Sequence, residues 1–428
     1  MLLETNDTGN AYTPRIAFDS MGNAIAVWQQ LTVINNVATN NIWANRYIAG
    51  SGWGTAIVIG AGNGPQINAV GSPPQIAVDT QGNAIVVWEL QAAGDIRINI
   101  WANRYVAGSG WGMAMRVQTG TDTAHDPQIV IDKSGNAWAV WTQLDANNTY
   151  YNIFASHYVV GTGWGVSTRI DMHNNVHSSS PQIAIDANGN VMAVWSEYSV
   201  GTVNSQIWAN RYTAGSGWGA ATLIQTESAS DARDQRIAVD ANGNAIAVWT
   251  QTDNTGIYHI VANRYSVASG WGTATHLETA VDGVSYPEVA FDNSGNAFAV
   301  WVQRSPGHSI SIWANRYTVT GAGTGWSTPT LIETDSEDGA ITPRIAIDMS
   351  GNAIVVWEQT AHGNPNDNIW ANRYTITNGW GTAATIETND AGNATSPRVT
   401  VDTNGNAIAV WAQKNSTGVY SIWANRFE

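Results

Sequence analysis

Short apolar runs recur along the whole chain, each closed by a cluster of Gly, Asn, Asp or Ser. In the fifth repeat they cover residues 235–240, 245–251, 260–265 and 273–278. Each has strand length and is rich in β-branched or aromatic residues, so each predicts a β-strand. The first two runs are joined by Asp-x-x-Gly-Asn. Its carboxylate can accept backbone N–H bonds and its Gly-Asn pair tolerates positive φ, which is hairpin-turn chemistry. The last two are joined by Gly-Ser-Gly-Trp-Gly in several copies, at residues 50–54, 108–112 and 215–219. No helix is predicted.

The Asp-x-x-Gly-Asn turn is followed each time by a Trp, from Asp19-Gly22-Asn23-Trp28 to Asp402-Gly405-Asn406-Trp411. The eight Trp residues (28, 88, 141, 195, 249, 301, 357, 411) are spaced by 60, 53, 54, 54, 52, 56 and 54 residues. A fixed period of this size means stacked or radially arranged supersecondary units. Four antiparallel strands repeated eight times fit an all-β, eight-bladed β-propeller. The expected domain is therefore one array over 1–428, with repeats of about 54 residues. Only seven Gly-Trp segments occur, because the chain stops soon after Arg426. The missing outer strand is found at the front, where Leu2-Leu3-Glu4-Thr5 matches Leu331-Ile332-Glu333-Thr334. Residues 1–5 are expected to complete the last blade and close the ring, hiding edges that an open array would expose.

Composition narrows the partners. A formal charge of −15, with 16 Arg and only two Lys, offers no broad basic field for nucleic acid. No apolar run approaches the roughly 18 residues of a membrane span. Zero cysteines exclude disulfides and thiolate metal sites. Met1-Leu2-Leu3-Glu4 lacks the charged and apolar regions of a signal peptide. The expectation is a monomer that is either cytoplasmic or, as favoured here, a piece of a bacterial secreted or surface protein without its leader.

Eight of the 22 Trp lie on second strands, seven in Gly-Trp segments, six on third strands, and Trp138 stands outside the register. The second-strand set reads as core between blades. Third strands repeat Asn-Arg-Tyr, except for Ser156-His157-Tyr158. Arg46, Arg104, Arg211, Arg264, Arg316 and Arg373, with Trp53, Trp111, Trp218, Trp271 and Trp380, are candidates for inter-blade ligand pockets. The same arginines equally suit packing on a neighbouring Trp or pairing with a carboxylate. Loops after the second and fourth strands vary, which marks a candidate binding face. Its aromatics are Tyr150, Tyr151, Tyr198, Tyr258, Tyr286 and Tyr420. Arg15, Gln75, Gln128, Gln182, Arg236, Glu288, Arg344 and Arg398 on first strands are expected around a channel mouth.

The Asp-x-x-Gly-Asn turn with its Trp resembles the Asp-box turn of sialidase-type and related bacterial propellers, a motif that marks a turn and not an activity. The Arg/Trp combination is similar to the inter-blade pockets of fucose-binding propeller lectins, which implies Glu278, Glu333 or Glu387 as the acid. Ala17-Phe18-Asp19, Gly22 and Trp28 resemble the docking repeat of quinoprotein dehydrogenases, but the Gly-to-Trp spacing is longer and adjacent cysteines are absent. A sialidase-like site needs an asymmetric cluster of arginines, Tyr and acids, and none is legible. The reading is therefore not an enzyme but a binding or scaffold propeller. Its expected ligand is a glycan, or alternatively a protein held on the variable face, with a sialidase-like or quinoprotein-like enzyme as a minor alternative. No cofactor is expected. His173 and His177 lie in a polar loop with no helix to align them on zinc. Calcium is a candidate ion through the oxygen-rich segments Asp253-Asn254, Asp335-Ser336-Glu337-Asp338 and Asn389-Asp390.

Overall fold

In a computed structural model the chain is all-β, an eight-bladed β-propeller without helices among the described residues. Residues 1–428 are described except 5–8, 35, 36, 61–71, 92–94, 121, 148, 200, 202, 203, 227–230, 279–282, 305–308, 320–324, 334–338, 361, 362, 364, 389, 390 and 428. Sequence readings on Thr5, 334–338, Asn389 and Asp390 lie outside the described residues. Two compact units are formed, Met1–Asp171 with Ala391–Glu428, and Met172–Asp390. The first holds blades one to three and eight, the second blades four to seven.

Blade five shows the plan. Its strands are Ala232–Val239, Ala245–Thr252, Tyr258–Ser266 and Thr275–His276, each pairing antiparallel with its neighbour. The fourth strand is shorter than the sequence suggests. The carboxylate of Glu278 captures the Ile260 N–H at 3.0 Å and so replaces the next ladder bond. Gly270–Trp271, read as a connecting turn, forms a two-residue strand of its own on the third strand. At the chain start Leu2 pairs with Trp423, and the Leu3 N–H donates to the Ile422 carbonyl at 2.8 Å. The N-terminus thus completes the last blade.

Each second strand is buried on both faces. Trp249 is fully buried and packs in one cluster with Val194, Ile207 and Ala209 of the preceding blade. Its indole N–H donates to Gln251 Oε1 at 2.8 Å. The same bond recurs at Trp28, Trp141, Trp301, Trp357 and Trp411, each two residues before a Gln. A buried indole needs such an acceptor, so Trp-x-Gln is a packing signature.

The Asp turn joins strands and lies close against the preceding blade. Asp240 Oδ1 accepts the N–H groups of Asn242 and Asn244, both at 2.9 Å, and Oδ2 accepts the Asn244 amide at 2.8 Å. Gly243 has φ +85°, and a Cβ there would lie 2.8 Å from Asp186 Oδ2 of the preceding blade. Only glycine meets both demands. Asp240→Ala strands two N–H groups and an amide, with an expected loss of about 2–3 kcal/mol. Asp240→Asn keeps an acceptor and should lose less. Denaturant midpoints of the two variants check this order.

First strands carry a repeated bulge. Thr13, Asp126, Ser180, Asp234, Tyr286, Thr342 and Ser396 all have φ between 51° and 58°. All but Asp234 precede a proline, which has no N–H for the ladder and is tolerated at bulges. Each bulge re-aims the side chains around it. In blade three, where Ser156-His157-Tyr158 departs from the repeat, His157 stacks flat on Trp138 at 4.4 Å. Trp138 stands opposite His157 where Ile246 stands opposite Arg264 in blade five, and burial pushes the His157 pKa down.

Candidate functional site

The repeated Asn-Arg-Tyr run has three separate contacts. Asn263 donates to the carbonyls of Ile224 in the preceding blade, at 2.7 Å, and of Gly272, at 3.1 Å. Tyr265 meets Trp271 edge-on at 5.6 Å, and Tyr47–Trp53, Tyr105–Trp111, Tyr212–Trp218 and Tyr374–Trp380 repeat that contact. The arginines lie over the Tyr of the next blade, not over Trp. Arg46, Arg104, Arg211, Arg264 and Arg316 sit 5.6–5.8 Å from Tyr105, Tyr158, Tyr265, Tyr317 and Tyr374. Arg46 and Arg211 also stand 4.0 Å from Asp19 and Asp186. Arg373 occupies the equivalent strand position in Asp367–Thr375. Arg104 and Trp111 do share a cleft of about 340 Å³, with Tyr158, Trp164, Met113 and Met115 among its walls.

Five of the six variable-face tyrosines have local partners. Tyr420 packs on Tyr12 at 5.6 Å, Tyr198 stacks on His177 at 5.0 Å, and Tyr258 lies under Arg233 at 4.6 Å. Tyr286 is half exposed on its bulge with φ 52°, a strained conformation for a bulky residue. Tyr150 lends its carbonyl to Asp145. Tyr151 faces His125, with ring centroids 6.3 Å apart.

Among the first-strand residues, Arg15 Nε donates to Gln75 at 3.2 Å, while Arg236 and Arg344 both hold Glu288 Oε1 at 2.9 Å. Two of the four expected cations are therefore matched by one carboxylate. Burial pushes the Arg344 pKa down, against the attraction of Glu288. Of the two histidines set aside as a zinc pair, His173 holds Glu197 at 3.0 Å while His177 turns to Tyr198.

The His125 site departs from the repeat. Glu89 follows the blade-two Trp, where other blades carry Gln29, Thr142, Ser196, Thr250, Val302, Glu358 and Ala412. It is 3% exposed. Its Oε2 holds His125 Nδ1 at 3.1 Å, and its Oε1 accepts the N–H groups of Asp126 at 2.8 Å and Ser72 at 3.2 Å. Burial alone would raise the Glu89 pKa, but these hydrogen bonds outweigh it and hold it below its ordinary value. The hydrogen bond to Glu89 raises His125 above its ordinary 6.5, burial opposing. His125 keeps a 30% exposed side chain, so it can be reached. Composition and spacing missed this site because its members come from a loop, a second-strand end and a first-strand bulge. The visible signal was a histidine, His125, at a first-strand position where no other blade carries one.

The sign of the coupling follows. The raised His125 pKa stabilises the fold fully below pH 6.5, and that gain disappears as pH rises through the folded value. The depressed Glu89 pKa stabilises above 4.5, and that gain disappears as pH falls through its folded value. Glu89→Gln is expected to lower the His125 pKa, as read from its imidazole proton shifts during a pH titration. An unchanged titration would show that the carboxylate does not set it.

Comparison with known proteins places the architecture. No protein-family model matches the chain, and no curated protein matches it. Two ulvan lyase structures, described as a new family of polysaccharide lyase, superpose with TM-scores of 0.57 and 0.56. They are 11% and 10% identical, covering 90% of this chain and 97% of theirs. The second holds -[GlcA(1-4)Rha3S]-. A Hadza microbial sialidase matches at TM-score 0.43 and 10% identity, covering 100% of this chain and 95% of its own. The expectations of a non-enzymatic binding or scaffold module, and of no enzyme, are corrected here. The fold is shared with a polysaccharide-cleaving enzyme, and repetition of packing residues had hidden an asymmetric ionisable site.

Proposed function

We propose that this protein is an enzyme cleaving a uronate-bearing polysaccharide by β-elimination, with His125 and Tyr151 as the reacting groups. The observation that carries the reading is the symmetry-breaking Glu89–His125–Tyr151 arrangement on a fold shared with ulvan lyase. Elimination needs a base for the proton beside the uronate carboxylate and an acid for the leaving oxygen. His125, with its pKa raised, suits the base near neutral pH. Tyr151 suits the acid. The C5–H bond breaks toward His125, its electrons form the C4=C5 double bond, and the C4–O bond breaks as Tyr151 protonates that oxygen. Hydrolysis would call instead for two available carboxylates. Glu89 is buried and both its oxygens are taken, which favours elimination.

Such substrates lie outside cells, so a secreted or surface setting belongs to the proposal, as does kinship with Asp-box propellers. The test incubates the purified chain with ulvan, other uronate polymers and neutral arabinan. Unsaturated uronide absorbance from the uronate polymers is expected. New reducing ends without that absorbance would replace elimination by hydrolysis, and no cleavage of any polymer would end the enzymatic reading.

A further inference from the structure

Blade five carries a second departure from the repeat, in the unit Met172–Asp390. His259 stands at the start of its third strand, where other blades have Asn41, Asn99, Asn152, Gln206, Ser311, Asn368 and Ser421. His276 stands on its fourth strand, where other blades have Val58, Arg116, Arg169, Leu223, Leu331 and Thr385. The fold needs neither histidine. We propose that His259, His276 and Glu278 bind a divalent first-row transition metal, zinc foremost, with Asp253 orienting His259.

One ligand atom from each of the three residues lies within 4.8 Å of the others. The two imidazoles stack at 4.2 Å, and His259 Nδ1 meets Glu278 Oε1 at 2.6 Å. Glu278 spends only its Oε2 on the structural task, capturing the Ile260 N–H. Gln118, Asp171 and Gln225 perform that task on Ile100, Ile153 and Ile207 elsewhere. The second carboxylate oxygen is therefore surplus to the blade. His259 and Glu278 are buried, whereas His276 is exposed and can swing inward. Metal–ligand distances of about 2.0–2.2 Å require that small closure.

Asp253 supplies the independent support. Its Oδ2 lies 3.4 Å from His259 Nε2. Its Oδ1 is locked by the N–H groups of Thr255 at 2.8 Å and Ile257 at 3.0 Å. A carboxylate behind one imidazole nitrogen fixes the tautomer, turning the other nitrogen's lone pair toward the site, as in carboxylate–histidine–metal arrangements. Two nitrogens and one oxygen favour zinc or its neighbours over calcium. Three protein ligands leave a position for water.

The test uses the full chain, chelator-treated and dialysed, with zinc alone and then cobalt alone. One zinc per chain by equilibrium dialysis is expected, with the visible absorbance of four-coordinate cobalt. His276→Ala and His259→Asn should weaken zinc at least ~100-fold; Asn already serves this position in four blades. Asp253→Asn should cost about 10- to 100-fold. The double variant His173→Gln, His177→Gln should bind zinc as before. Zinc that is not retained at micromolar concentration, or that is retained equally by the His259 and His276 variants, overturns the site.

Discussion

A fall of about 10²- to 10⁴-fold in kcat/KM on uronate polymers is expected for His125→Ala, and a similar fall for Tyr151→Phe. Neither substitution removes a core group. Tyr151 lies at the start of its strand, so Tyr151→Phe should leave the melting temperature near the parent value, whereas His125→Ala should lower it, because the buried Glu89 loses the partner of its Oε2. Activity should rise with pH through the His125 pKa, which lies above 6.5. Glu89→Gln should move that limb to lower pH, because it removes the carboxylate that favours the charged imidazole. A residue that only props the loop would lower activity without moving the limb. Full activity in both His125→Ala and Tyr151→Phe would place the chemistry elsewhere on the chain.

Trp249→Ala is expected to cost about 3–5 kcal/mol, the range for removing a buried aromatic ring. Trp249 is fully buried, and its ring fills the wedge between two blades. Its loss also leaves Gln251 Oε1 without the indole donor. Against a total stability of roughly 5–15 kcal/mol this is a large share. Trp249→Phe keeps most of the area and should lose less. Chemical denaturation of both variants checks the order, and a loss under about 1 kcal/mol for the Ala variant would deny the ring its wedge role.

The repeat was legible because its signals are local. Asp240, Gly243 and Asn244 make their turn within five residues, and Trp249 with Gln251 marks a strand buried on both faces. Other repeated contacts were not readable. Arg211 covers Tyr265 of the next blade instead of a Trp, and Asn263 reaches back to Ile224, because both choices depend on how blades stack. Thr273 and Glu278 looked like strand ends, yet a side-chain carboxylate shortens that ladder.

The amino-acid order by itself determined the eightfold all-β architecture, the hairpin turns, the buried Trp set and the completion of the last blade by Leu2 and Leu3. All of these rest on hydrophobic period and turn chemistry acting within one repeat, or on matching one repeat to another. Only the tertiary structure decided which departures from the repeat meet. Glu89, His125 and Tyr151 come from separate segments, and His276 is brought from the fourth strand onto His259 at the hairpin that holds Asp253. The physical reason is that strand pairing and blade packing bring distant residues within a few ångströms, while a sequence records only their separation along the chain.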